Sequence, residues 1–173
     1  LDLWTMPLVS TGTEIQAGTP ERFFGTPAME AYPAFSPDGQ WIAYASNESG
    51  PYEVYVRRFP DDGATAVQVS RGGGSVPHWS RRRKEIVYRS ETNRLMVASY
   101  RIDGNRFIVE LRQAWPSAPL ANTGVLANFD LTADGEHVVA LMPASSAADR
   151  QAATHVTVVV NVFEEMRQRN SSR

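Results

Sequence analysis

One unit recurs along this chain, and its recurrence limits the fold more than any other feature. The clearest copy is Tyr32-Pro33-Ala34-Phe35-Ser36-Pro37-Asp38-Gly39-Gln40-Trp41-Ile42-Ala43-Tyr44-Ala45-Ser46. A short apolar strand meets a tight turn, and a strongly apolar strand follows. Pro37 presets φ for the first turn position, Asp38 can bond its own backbone, and Gly39 takes φ > 0. Tyr52–Phe59 reads as the next strand and Ala64–Ser70 as an outer one.

The second copy is Ser75-Val76-Pro77-His78-Trp79-Ser80, followed by Glu85–Ser90, Arg94–Arg101 and Phe107–Leu111. The third is Asn128–Gly135, then His137–Met142, then His155–Asn161. A partial copy stands first, with Leu1–Leu8 aligned on Tyr52–Phe59. The anchors Ser36, Ser80 and Thr132 lie 44 and 52 residues apart. The shorter interval fits the roughly 40–45-residue period of propeller blades. The longer one is stretched by Trp115–Gly124, rich in Pro and Ala and read as a loop.

The second strands, Trp41–Ala45, Ile86–Tyr88 and Val138–Met142, are apolar on both faces, whereas a half-buried strand alternates. Such strands suit sheets packed between two neighbours, as blades are; a sandwich covers one face of each sheet. The predicted fold is therefore all-β. It is a β-propeller fragment of three four-stranded-type blades and a partial blade, with a short C-terminal helix at Phe163–Arg169. The divisions are a partial blade at 1–27, blades at 31–70, 75–115 and 125–161, and helix and tail at 162–173. Tyr32–Ser70 and Ser75–Trp115 are each expected to form a four-stranded antiparallel sheet, stacked face to face. Trp41, Ile42, Tyr44, Trp79, Val87 and Val139 are expected to be buried. Ala144–Ala153 reads as a mobile loop.

Composition narrows the function classes. The 173 residues are 42% apolar and 21% charged, which suits one soluble domain with a real core. The net charge of −2 hides an asymmetry: residues 1–70 sum to −6 and residues 71–173 to +4. Neither half is basic enough to predict nucleic-acid binding by charge. With no cysteine, disulfides, Cys-ligated zinc, iron–sulfur clusters and cysteine nucleophiles are excluded. No apolar stretch approaches a membrane span, so no direct membrane insertion is expected. No signal peptide is visible. Leu1 falls inside a predicted strand, so the chain is expected to be a fragment or a product trimmed at its start.

Candidate sites are few. Arg81-Arg82-Arg83-Lys84 is the only dense charge cluster, able to meet an anion or an acidic partner, or simply to form a solvated turn. His78, His137 and His155 lack the spacing of a metal site. Gly72-Gly73-Gly74-Ser75 lacks the Lys-Ser/Thr of a phosphate loop and the final Gly of a nucleophile elbow, and reads as a flexible inter-blade connection. Asp38 and Asp134 fall in turns of different blades, too far apart for paired acid/base work, which wants carboxyls within roughly 5–10 Å. Trp41, Trp79, Tyr44 and Tyr88 hold repeat positions and read as inter-blade packing. No catalytic, cofactor or metal site is predicted.

Pro33-Ala34-Phe35-Ser36-Pro37-Asp38-Gly39 followed by Trp41-Ile42-Ala43-Tyr44 resembles the repeat of TolB-type, WD-like β-propellers. The order of motifs resembles the C-terminal propeller blades of bacterial membrane-anchored serine/threonine kinases. The matching residues are Gly73-Gly74, Pro77-His78-Trp79-Ser80, Val87-Tyr88-Arg89-Ser90, Leu131-Thr132-Ala133-Asp134-Gly135 and Asn161-Val162-Phe163-Glu164-Glu165-Met166. Two departures stand out: Arg81–Lys84 replaces an Asp-Gly turn, and Val162 stands where such tails carry Trp. No kinase motif is present. The resemblance implies an extracytoplasmic, non-catalytic module that senses or binds a protein or small ligand. The alternative is a segment gating a prolyl-oligopeptidase-like hydrolase, whose catalytic domain would carry Gly-x-Ser-x-Gly; that motif is absent. Three blades and a half fall short of the four to eight of closed propellers. The arc is thus expected to join a second copy as a homodimer, the favoured outcome, to close by pairing Leu1–Leu8 with the last blade, or, with blades cut away, to pack irregularly.

Overall fold

The computed structural model describes residues 1–132, 134–144 and Thr157–Val159. The first strands form a bent ribbon. β1 (Leu3–Thr5) pairs with β4 (Glu21–Phe24), and β2 (Leu8–Thr11) forms a hairpin with β3 (Glu14–Ala17). The ribbon breaks where Pro7 faces Gly18; proline brings no N–H to a ladder, but its carbonyl accepts from Gly18 N at 2.8 Å.

Two complete sheets follow. β5 (Glu30–Phe35), β6 (Trp41–Ser46), β7 (Glu53–Arg58) and β8 (Val67–Gln68) pair in sequence order, all antiparallel. β9 (Ser75–Trp79), β10 (Glu85–Arg89), β11 (Leu95–Asp103) and β12 (Arg106–Ala114) do the same. A third sheet has, among the described residues, β13 (Phe129–Leu131), β14 (Val138–Ala140) and β15 (Thr157–Val159). The two four-stranded sheets thus fall where the repeat places them.

The sheets stack face to face, and alternation along the second strands shows why. Successive side chains of a strand point to opposite faces. Trp41 and Ala43 pack with Trp79, Ile86, Tyr88, Tyr100 and Phe107 in a core between the two complete sheets. Ile42 and Tyr44 point the other way, onto Leu3, Phe23 and Phe24 of the ribbon. Val87 leaves the second sheet toward Phe129, Val138 and Ala140 of the third. Each complete sheet is therefore covered on both faces, the arrangement of propeller blades. Polar ties reinforce the first contact. Trp79 Nε1 donates to the Ala34 carbonyl at 2.9 Å, and Arg112 Nε donates to the Val69 carbonyl at 2.6 Å.

The repeated turn is the same machine in each copy. The Ser36 N–H donates to the Trp41 carbonyl at 2.8 Å, Ser80 N–H to Glu85 at 3.0 Å, and Thr132 N–H to His137 at 3.0 Å. In the first and third copies the hydroxyl donates to the Asp side chain two residues on. It also accepts from the backbone five residues on, at 3.0 Å from Trp41 and 3.1 Å from His137. Gly39 and Gly135 sit at φ 68° and 69°, as such a turn demands. In the second copy Arg83 N donates to Ser80 Oγ at 3.1 Å, so the hydroxyl organises the turn without an Asp.

Two expectations are corrected. Of the six residues expected in the core, Val139 is 38% exposed. It points away from Val138 and Ala140, and no described sheet covers that face. Leu1–Leu8 does not complete the last blade: Leu3–Thr5 pairs with Glu21–Phe24, and Leu3 is buried against the first complete sheet. Its apolar face has a nearer partner than β15. Trp115–Gly124 is a loop, as read from its composition, and it is anchored: Trp115 and Leu120 are buried in the core between the second and third sheets. Leu120 N donates to Asn93 O at 2.7 Å and Ala121 N to Leu141 O at 2.8 Å. The expected C-terminal helix at Phe163–Arg169 lies outside the described residues, as does Ala144–Ala153 beyond Ala144.

Candidate ligand cavity at one end of the sheet stack

Turns alternate between the two ends of an antiparallel meander. One end carries the Ser36–Gln40, Arg81–Lys84 and Asp134–Glu136 turns. The other carries the β6–β7 and β10–β11 turns and the Gly72–Gly74 connection. The two ends differ in chemistry.

At the first end, the four side chains of Arg81–Lys84 have separate surroundings. Arg82 pairs with Glu136 of the third sheet at 2.8 Å. Lys84 Nζ lies 5.8 Å from the centroid of the Tyr100 ring, and its charge helps lower the Asp38 carboxyl after the larger effect of the Ser36 hydroxyl. Arg83 opposes the burial that raises the Glu85 carboxyl. Arg81 borders a cleft with His78 and Asp130. The four charges thus face different neighbours, of which Glu136 belongs to the third sheet. His78 Nδ1 lies 3.2 Å from Asp130 Oδ1, and its ring meets Phe129 edge-on at 4.8 Å. Burial lowers the His78 pKa, and Asp130 works against that shift. His137 belongs to another sheet, and His155 lies outside the described residues. Asp38 and Asp134 are held by their own turns, as their sequence position suggests.

At the opposite end lies a cavity of about 450 Å³. Its walls come from β5, the β6–β7 turn, the glycine connection into β9, the end of β10 with the β10–β11 turn, and the connection leading into β13. Tyr32, Asn47, Gly73, Arg89, Glu91 and Asn93 line it. The glycine run is the inter-blade connection expected, and it carries specific hydrogen bonds. Buried Glu53 accepts from Gly73 N at 2.9 Å and from the Ser70 hydroxyl, which itself accepts from Val54 N at 2.7 Å. A Cβ at Gly73, where φ is 96°, would stand 2.6 Å from Glu91 Cβ. Only glycine permits that approach.

The innermost strands are bent here. Tyr32 and Val76 hold equivalent repeat positions, each just before a proline, with φ of 54° and 53°. The left-handed region is strained for a β-branched residue such as Val76 and costs about 1–3 kcal/mol. Ladder registers shift beside both residues. The bend sends the Tyr32 hydroxyl to the Val125 carbonyl, across the intervening sheet. Arg89 closes the back of the cavity. It is 7% exposed and donates to the Ser75 hydroxyl at 3.2 Å and to the Leu126 and Gly124 carbonyls at 3.1 Å each.

Sequence reading does not single out Arg89 or Glu53 as site residues. Arg89 does leave a signal, a lone cation at the end of the apolar run Ile86-Val87-Tyr88. Such a residue is either exposed by the pleat or buried for a purpose.

No family model and no curated protein matches the chain. A solved structure described as "putative TolB from Agrobacterium tumefaciens" is similar at 18% identity, with a TM-score of 0.41. The likeness covers 64% of this chain and 46% of that one, so the chain spans less than half of its length. The assignment of blades rests on the strand order and packing above, not on this likeness.

Proposed function

We propose that the chain is a β-propeller segment serving as a non-catalytic interaction module that takes a protein or small ligand in the cavity beside Arg89. The observation that carries the reading is a concave, polar site framed by strained backbone and backed by a buried cation. Strain of this kind collects where a scaffold is shaped for binding. Among the described residues no group of three or more His, Asp or Glu could hold a metal, and the Ser36, Ser70 and Thr132 hydroxyls that meet carboxylates also accept from backbone N–H groups of their own turns and strands, a structural use.

The test is a screen of short peptides and small polar molecules against the ¹⁵N-labelled full chain. Amide shifts should gather at Tyr32, Tyr52, Asn93 and Val125. Shifts confined to Arg81–Lys84 would place the site at the wrong end, and turnover of any screened molecule would overturn the non-catalytic reading. The resemblance to kinase-borne propellers supports an extracytoplasmic place in bacteria. Alkaline phosphatase fused to the chain in its parent protein should be active; an inactive, stably expressed fusion would count against it.

A further inference from the structure

Arg89 is a buried cation with neutral company. A guanidinium has five N–H groups. Three are engaged, by the Ser75 hydroxyl and the Gly124 and Leu126 carbonyls. One N–H on each terminal nitrogen has no acceptor among the described residues, and no described carboxylate lies within ion-pair distance of Arg89. A charge taken out of water is costly unless an opposite charge meets it. Here the cation is fixed in place by three hydrogen bonds and borders a 450 Å³ cavity. Its planar shape matches a carboxylate.

Resting on the reading of this cavity as a ligand site, we propose that it binds a carboxylate anchored on Arg89. The other walls refine the ligand. Asn47, Asn93 and Asn122 offer neutral amides that can give and accept hydrogen bonds. Glu91 lines the same space and disfavours a second negative charge. The ligand class is therefore a monocarboxylate, with amide or hydroxyl groups near its carboxylate, rather than a phosphate or a dicarboxylate. It is supplied either by a small acid or by the free C-terminus of a peptide.

Calorimetry and amide shifts on the full chain separate the possibilities. The probes are lactate, a tetra-alanine peptide, the same peptide as its C-terminal amide, succinate and inorganic phosphate. Lactate or the free peptide should shift Tyr32, Asn93 and Val125, and whichever binds more tightly identifies the source. Amidation should weaken the peptide by about tenfold or more, the loss of a charge-assisted contact. Arg89→Lys should weaken carboxylates by a similar factor. Glu91→Gln leaves the Arg89 clamp in place and should tighten succinate several-fold. Measurable and equal binding of the peptide and its amide, or carboxylate affinities unchanged in Arg89→Lys, would overturn the carboxylate assignment; an unchanged succinate affinity in Glu91→Gln would overturn the restriction to a single carboxylate. Neutral ligands that shift these residues while carboxylates do not would sink the assignment and leave the cavity reading standing. If no ligand of any kind shifts them, both fail.

Discussion

Gly39 and Gly135 share a conformation but not a neighbourhood. Both sit at φ near +68°, where an L side chain costs about 1–2 kcal/mol. An added Cβ at Gly39 meets nothing within 4 Å, whereas at Gly135 it meets Ser80 Oγ of the second sheet at 2.8 Å. Gly39→Ala should cost only the backbone strain. Gly135→Ala should cost more, and Ser80→Ala should recover part of the excess, as a double-mutant cycle by urea unfolding would read. Equal losses at the two glycines would show that the third sheet does not press on the second at this point. Arg89 is the harder residue to read from sequence. Two of its three acceptors are backbone carbonyls at Gly124 and Leu126, more than thirty residues away, and carbonyls carry no sequence signature. The Ser36 and Thr132 turns, by contrast, are legible because hydroxyl, carboxylate and glycine are all side-chain choices of the turn itself.

Strands show the same division between what a pattern reveals and what packing decides. The apolar runs at Trp41–Ala45 and Ile86–Tyr88 foretell two covered faces because one strand must satisfy two sheets. Val139 obeys the same pattern and is nevertheless exposed, since a pattern cannot tell whether a neighbour stands on that side. Strand β9 supplies a titrating group at such a junction. His78 lies between the second and third sheets, its pKa held below the ordinary 6.5 by burial, with Asp130 opposing. A lowered folded-state pKa means that the unfolded chain takes up the proton first. Stability is then complete above about pH 6.5 and falls as the pH drops toward the folded-state value. Urea unfolding at pH 7, 6 and 5 should show wild type losing stability that His78→Leu retains. Parallel profiles would mean that Asp130 cancels the burial.

At the scale of the whole molecule, the ribbon before the first complete sheet leaves Trp4, Leu8 and Ile15 60%, 71% and 73% exposed. Apolar surface of that kind drives association. The opposite charges of the two parts of the chain, −6 and +4, favour head-to-tail contact between copies. Sedimentation equilibrium should show concentration-dependent dimers, weakened by Ile15→Lys and by salt. A monomer at every accessible concentration would refute the pairing of arcs.

One bond changes how such a stack should come apart. In a row of repeats each unit leans on its immediate neighbours, and stability is close to a sum of unit and nearest-neighbour energies. The Tyr32 hydroxyl and the Val125 carbonyl break that rule by joining the first complete sheet to the approach of the third, over the head of the second. It is a second-neighbour link in an otherwise one-dimensional lattice. Rows joined only to adjacent members fray from the ends; a row stitched across a member has reason to melt as a block.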